Sequence, residues 1–223
     1  MNARRDEPAG PSPELRERIL EALRRLLDER TFDSLSVAEI IAAAGVSRAS
    51  FYFYFPGKQA ALAELVRRAV GAGHEAAQPW LSGQAVLNAR EAARPDAKQA
   101  ADQAREEAMS PRDALRHGIA AGADLWLANA GVLRAIVESW GADPQLRELW
   151  LAQMATFTEA TLVRIADDPR LEGVDRPALA ASLTWLGERL YYLAACGVPP
   201  FDDREVLVET LTHLWTSALA ERA

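Results

Sequence analysis

Between Glu39 and Glu64 the chain carries no aspartate or glutamate, although 32 of its 223 residues are acidic. Two short helices and a tight turn can be read inside that acid-free window. Val37, Ile40 and Ile41 share one helical face by their i, i+3, i+4 spacing. Ser36 precedes them as an N-cap, and Glu39 three residues on completes a capping box. Ala42, Ala43 and Ala44 lead to Gly45, which takes positive φ without a Cβ clash and ends the helix. Val46 returns to the core, and Ser47 is placed to cap the next helix. Helix, glycine turn and helix predict a helix-turn-helix.

The second helix opens at Arg48. Phe51 and Phe55, four apart, are expected to face inward. Arg48 with Tyr52, and Ser50 with Tyr54, then fall on outer faces. The Phe-Tyr-Phe-Tyr-Phe alternation also suits a β-strand, but no neighbouring segment offers a partner strand, and a lone strand is not stable. Small polar, arginine and tyrosine side chains on a carboxylate-free cylinder suit the major groove and its phosphates. Arg48 can donate two hydrogen bonds to guanine. Ser47, Ala49 and Ser50 can meet base edges, thymine methyls or phosphates. Tyr52, Tyr54 and Lys58 are assigned to phosphates, Lys58 at a helix start whose amides also favour an anion. Ser36 and Val37 complete the DNA-binding set.

At these residues the sequence resembles the TetR family of transcriptional regulators. Ser36-Val37-Ala38-Glu39-Ile40, Ala44-Gly45-Val46-Ser47, Phe51 to Phe55 and Lys58 carry the resemblance, over about residues 14–66. Within the family, Phe51-Tyr-Phe-Tyr-Phe-Pro56 and Leu211-Thr-His-Leu-Trp-Thr-Ser217 are similar to the subgroup holding the repressor of the ethionamide-activating monooxygenase. The resemblance implies an all-α, nine-helix architecture. An N-terminal three-helix helix-turn-helix domain would precede a C-terminal helical domain for ligand binding and dimerisation.

Composition agrees with an all-helical chain: alanine, leucine and arginine abound and strand signals are sparse. Cys196 is the single cysteine, which excludes an intrachain disulfide. The first residues lack the apolar stretch of a secretory signal, and no run approaches the roughly 20 apolar residues of a membrane span. The expected location is therefore the cytoplasm. The net charge of −7 belongs to the distal part: residues 1–68 hold 11 Lys/Arg and 10 Asp/Glu, whereas residues 69–223 hold 14 and 22. So balanced a reader should make few phosphate contacts, and two readers would be needed at once.

Along the chain, residues 1–12 read as a disordered arm in which Arg4 and Arg5 could reach a minor groove. Residues 13–60 form the expected DNA-binding domain, and 61–223 the effector and dimerisation domain. The first helix runs from about Glu14 to Arg30, with Leu15, Ile19, Leu23 and Leu26 as its buried stripe. The fourth begins near Gly57; Gly71 and Gly73 interrupt it as a hinge or as a frayed end. Residues 82–110, rich in Ala, Arg, Glu, Asp and Gln, read as a polar connector. Beyond them, helices are expected at about 112–129, 131–142, 144–168, 177–196 and 203–220, separated by Gly, Asn and Pro clusters.

Trp150, Met154, Phe157 and Thr161 form one stripe on the longest of these. Trp126, Trp140, Trp185 and Trp215 come from four others. Such large rings, with Gly118, Gly122 and Gly187 inside helices, fit either a packed core or an apolar cavity in a helix bundle. The family resemblance favours the cavity. In the resembled subgroup amide side chains line it, whereas the matching positions here are Thr184 and Gly187. The ligand-binding set is thus Gly122, Trp126, Trp140, Trp150, Met154, Phe157, Thr161, Thr184, Trp185, Glu188 and Trp215, and the ligand an apolar or aromatic small molecule. Leu183, Leu186, Leu190, Leu207, Leu211 and Leu214 on the last two helices are divided between core and homodimer interface.

No catalytic, metal or cofactor site is read. His74, His117 and His213 are isolated without metal-ligand spacing, and there is no phosphate-binding glycine loop. The expected function is a homodimeric, ligand-responsive regulator, probing a double-stranded DNA operator and released from it by an apolar effector. The alternatives are a helical protein-interaction module and a small-molecule enzyme using the aromatic residues.

Overall fold

The computed structural model describes residues 13–81, 111–166 and 168–219. The arm with Arg4 and Arg5 and the connector 82–110 lie outside the described residues. Nine α-helices, and no strand, occur among those described: α1 (Pro13–Glu29), α2 (Val37–Ala44), α3 (Arg48–Tyr54), α4 (Lys58–Leu81), α5 (Pro111–Ala128), α6 (Ala130–Ser139), α7 (Pro144–Ile165), α8 (Arg176–Ala195) and α9 (Arg204–Leu219). The expected helix limits hold to within a few residues.

The chain divides into two compact units, but not at residue 60. The described residues up to Arg68 join Gly131–Glu148 in the first; Ala69–Ala130 and Leu149 onward make the second. The expected split missed that α6 and the start of α7 belong with the N-terminal helices, because nothing local to them announces a partner a hundred residues upstream.

In the first unit α1 packs on α2 and α3. Its buried stripe is Ile19, Leu20, Leu23 and Leu27. Leu15 and Leu26 are only half-buried, so the stripe is rotated from the expected one. Gly45 ends α2 in the left-handed region, at φ 61° and ψ 39°. The Arg18 guanidinium on α1 donates to the carbonyls of Ala44 and Gly45 at 2.8 and 2.9 Å, satisfying two of the orphan acceptors at that helix end. Glu17 and Arg16 on α1 meet Arg68 and Glu64 on α4: Arg68 donates to Glu17 at 2.6 and 2.8 Å, and Arg16 lies 2.9 Å from Glu64. The Arg68 guanidinium, first through its hydrogen bond, holds the Glu17 carboxyl below its usual range. Pairs this exposed contribute at most about 1 kcal/mol each.

α6 approaches α1 closely through Gly131, which is buried. A Cβ built there would lie 2.7 Å from the backbone carbon and oxygen of Leu27. Only a residue without a side chain lets the two helices meet at that spot.

In the second unit α5 packs on α8 and α9, and these two on each other. Their shared core holds Leu115, Ile119 and Ala123 from α5, Leu183, Leu190 and Ala194 from α8, and Leu207, Val208, Leu211 and Trp215 from α9. Of the six leucines divided between core and dimer interface, Leu183, Leu190, Leu207 and Leu211 fall to the core. Leu207 and Leu211 are 0% exposed within one chain, so no second subunit can reach them. Leu186 is half-buried and Leu214 exposed.

Gly71 and Gly73 do not break α4, which runs unbroken from Lys58 to Leu81. Mid-helix glycine costs about 1 kcal/mol relative to alanine, and no atom lies within 4 Å of a Cβ added at Gly71. Gly71→Ala is therefore expected to raise unfolding stability by about 1 kcal/mol in urea titrations followed by circular dichroism. A loss of stability there would mean that the glycine serves a bent state.

Candidate functional site

The turn between α2 and α3 is fixed by its caps. The Ser36 hydroxyl accepts from the Glu39 amide at 3.2 Å and donates to Glu39 Oε2 at 2.7 Å, while the Ser36 amide donates to the same oxygen at 2.8 Å. Arg30 donates to the other oxygen at 2.6 Å. Arg30, then Ser36, hold the Glu39 carboxyl down at about 2, so the capping box is ionised at any ordinary pH. Ser47 caps α3, accepting from the Ser50 amide at 3.0 Å, and the two hydroxyls are 2.8 Å apart.

Phe51 and Phe55 are buried as expected, their ring centroids 6.1 Å apart. With those rings inward, Arg48, Ala49, Tyr52 and Phe53 are exposed along one side of α3. The Arg48 guanidinium lies over the Tyr52 ring at 5.4 Å. Val37, Ser50 and Tyr54 are half-buried. Phe53, 65% exposed, was missed in sequence as a site residue. Its i+4 spacing from Ala49 was the available signal.

Lys58 departs from expectation. Its ammonium donates to the carbonyls of Phe32, Asp33 and Leu35 at 2.9, 3.4 and 2.7 Å, and stands 4.5 Å from the Phe32 ring centroid. An ammonium has three N–H donors, and all three are taken. In the free chain, then, Lys58 does not stand open for the expected phosphate but straps the short 3-10 turn Phe32–Ser34 that delivers the chain into α2.

The aromatic set is only partly brought together. Trp126 on α5 meets Trp150 on α7 edge-on at 6.2 Å, and stacks on Tyr191 of α8 at 6.2 Å. Met154 and Thr161 are buried along the Trp150 stripe, with Phe157 and Trp185 half-buried. Thr161 and Thr184 return their hydroxyls to the carbonyls four residues back, at 2.9 Å each. Trp215 belongs to the leucine core described above. Trp140 belongs to the first unit and the other members of the set to the second.

Gly122 needs correcting too. A Cβ there would lie 2.7 Å from the Tyr191 hydroxyl, and that hydroxyl donates to the Ile119 carbonyl at 2.9 Å. The missing side chain at Gly122 admits Tyr191, not a ligand. Tyr191 was missed although it follows Gly187 and Glu188 on the same helical face.

The comparisons with known proteins agree with this geometry. The family described as "Bacterial regulatory proteins, tetR family" matches residues 19–65, and "Transcriptional regulator EthR, C-terminal domain" matches residues 115–220. An HTH-type transcriptional regulator EthR of Mycolicibacterium smegmatis is 31% identical over 216 residues, covering 95% of this chain and 89% of its own. Its namesake in Mycobacterium tuberculosis is 28% identical over 217 residues, with the same coverage. Among solved structures, a bacterial regulatory protein in the tetR family from Rhodococcus RHA1 aligns with a TM-score of 0.62 at 16% identity, covering 95% of this chain and all of that one. Salmonella enterica GusR aligns at 0.58 and 20% identity, covering 95% of this chain and 97% of its own.

The fold and the capped α2–α3 pair are thus those of a helix-turn-helix DNA-binding transcriptional regulator. The chain belongs to the TetR family, near the EthR subgroup. Its relatives are named as regulators, not enzymes, and response to a ligand is typical of the family. No single helix among the described residues is long and apolar enough to cross a membrane.

Proposed function

We propose that the protein is a homodimeric repressor that reads an operator with the outer side of α3 and leaves it when an apolar small molecule binds the second unit. The observation that carries this reading is the exposure of Arg48, Ala49, Tyr52 and Phe53 above a buried Phe51, on a helix that bears no acidic residue. Arg48 would read guanine, and Ala49 and Phe53 thymine methyls. Tyr52, Tyr54, Ser47 and Ser50 would orient the helix on the backbone. Leu214, exposed in one chain and outside that core, is left for the partner subunit. Two-fold symmetry would place the two readers roughly 34–36 Å apart, one turn of DNA. α4 contributes residues to both units and would carry the response between them. The effector shifts that equilibrium only by its differential affinity for the two states.

The test is recovery and sequencing of genomic DNA bound by the full chain. A palindromic site is expected. Arg48→Ala should cost about 1–3 kcal/mol of affinity for it and relax base preference at one position per half-site, read by gel shift on systematically varied operators. An unaltered preference in the variant would remove Arg48 from the base-reading set.

A further inference from the structure

One face of α8 is buried, and it includes Thr184, Gly187 and Glu188. Thr184 is satisfied within its own helix. Glu188 is not: the residue is 5% exposed, and its Oε1 has no hydrogen-bond partner among the described residues. Its other oxygen lies 3.8 Å from Arg189 Nε, beyond hydrogen-bond reach. That guanidinium is largely exposed and lies over the Tyr192 ring at 5.0 Å. A carboxylate withdrawn from water without a full partner is costly to hold, and burial accordingly raises its pKa, with Arg189 opposing.

Tyr191, three residues on, is its neighbour on the helix surface. Tyr191 in turn stacks on Trp126, and Trp126 meets Trp150, whose Nε1 is likewise unpartnered among the described residues; the carboxylate thus sits one helical turn from a residue of that cluster. Aromatic faces near a buried carboxylate with one oxygen unpartnered are the recognition chemistry of an organic cation. Resting on the reading of the second unit as the effector site, we propose that the effector is a lipophilic amine whose protonated nitrogen pairs with Glu188 while its apolar body lies against the aromatic cluster.

Two probes of one shape test this: 6-phenylhexylamine, protonated at neutral pH, and 6-phenylhexan-1-ol, titrated into the full chain by tryptophan fluorescence and calorimetry. The amine should bind about tenfold or more tightly than the alcohol. Glu188→Gln and Glu188→Met should bind the two alike. Glu188→Met should also melt higher than the parent, since it removes a buried charge that Arg189 only partly offsets. Equal binding of both probes by the parent, or a preference surviving in either variant, overturns the amine inference while leaving an effector site in place. If neither probe binds and neither alters operator affinity, the effector-site reading falls and this proposal with it. The parent comparison decides the matter even if a variant does not fold.

Discussion

Phe51→Ala is expected to abolish operator binding by unseating the helix that carries it. The ring is 0% exposed and lies between Tyr52, edge-on at 5.4 Å, and Phe55 at 6.1 Å. Truncating a fully buried phenylalanine costs about 3–5 kcal/mol, a large share of the 5–15 kcal/mol typical of a folded protein. α3 spans only 7 residues, too few to persist without packing. Denaturant titration should show the loss. Phe53→Ala supplies the contrast: that side chain is 65% exposed, so its removal should move stability by no more than about 0.5 kcal/mol while weakening the DNA complex. If both variants unfold the unit alike, the division of α3 into an inner and an outer side is wrong.

Gly131→Ala is the second large effect. The methyl would be driven to 2.7 Å from the carbonyl carbon and oxygen of Leu27. Those are backbone atoms of α1, so no side-chain rotation relieves the clash. Overpacking of this kind costs about 1–3 kcal/mol, occasionally more, and here it would push α6 off α1. The expected result is a lower melting temperature of the full chain, with operator binding weakened in proportion to the unfolded fraction. Gly141→Ala is the control, because a Cβ there meets nothing within 4 Å. A well-tolerated Gly131→Ala would show that α6 can slide without cost.

These two residues also mark what could and could not be read from the sequence. Phe51 was legible because its evidence is local. Ser36 and Glu39 close a box within four residues, Gly45 stops one helix, Ser47 starts the next, and Phe55 repeats the inward face. Gly131 was read as the breaker at the start of a helix, and it does stand at the start of α6, but its reason for being glycine is a backbone about a hundred residues earlier. Lys58 was assigned to phosphate for the same lack of information: its three carbonyl partners lie 23 to 26 residues away. The leucines of α8 and α9 had a periodicity that announced burial, but periodicity is silent about whether the covering surface belongs to the same chain. Tyr191 escaped notice because its partners, Gly122 and Trp126, lie on another helix.

The two-segment makeup of the first unit bears on how such a regulator can be re-engineered. Attaching this reader to a foreign sensor by one cut after Arg68 would leave behind Gly131–Glu148, and with it Leu133, Ile136 and Leu146, all among the most deeply buried side chains. A working graft must carry that second stretch as well, so the sensor has to be spliced in as an insertion and a tail instead of appended as a cassette.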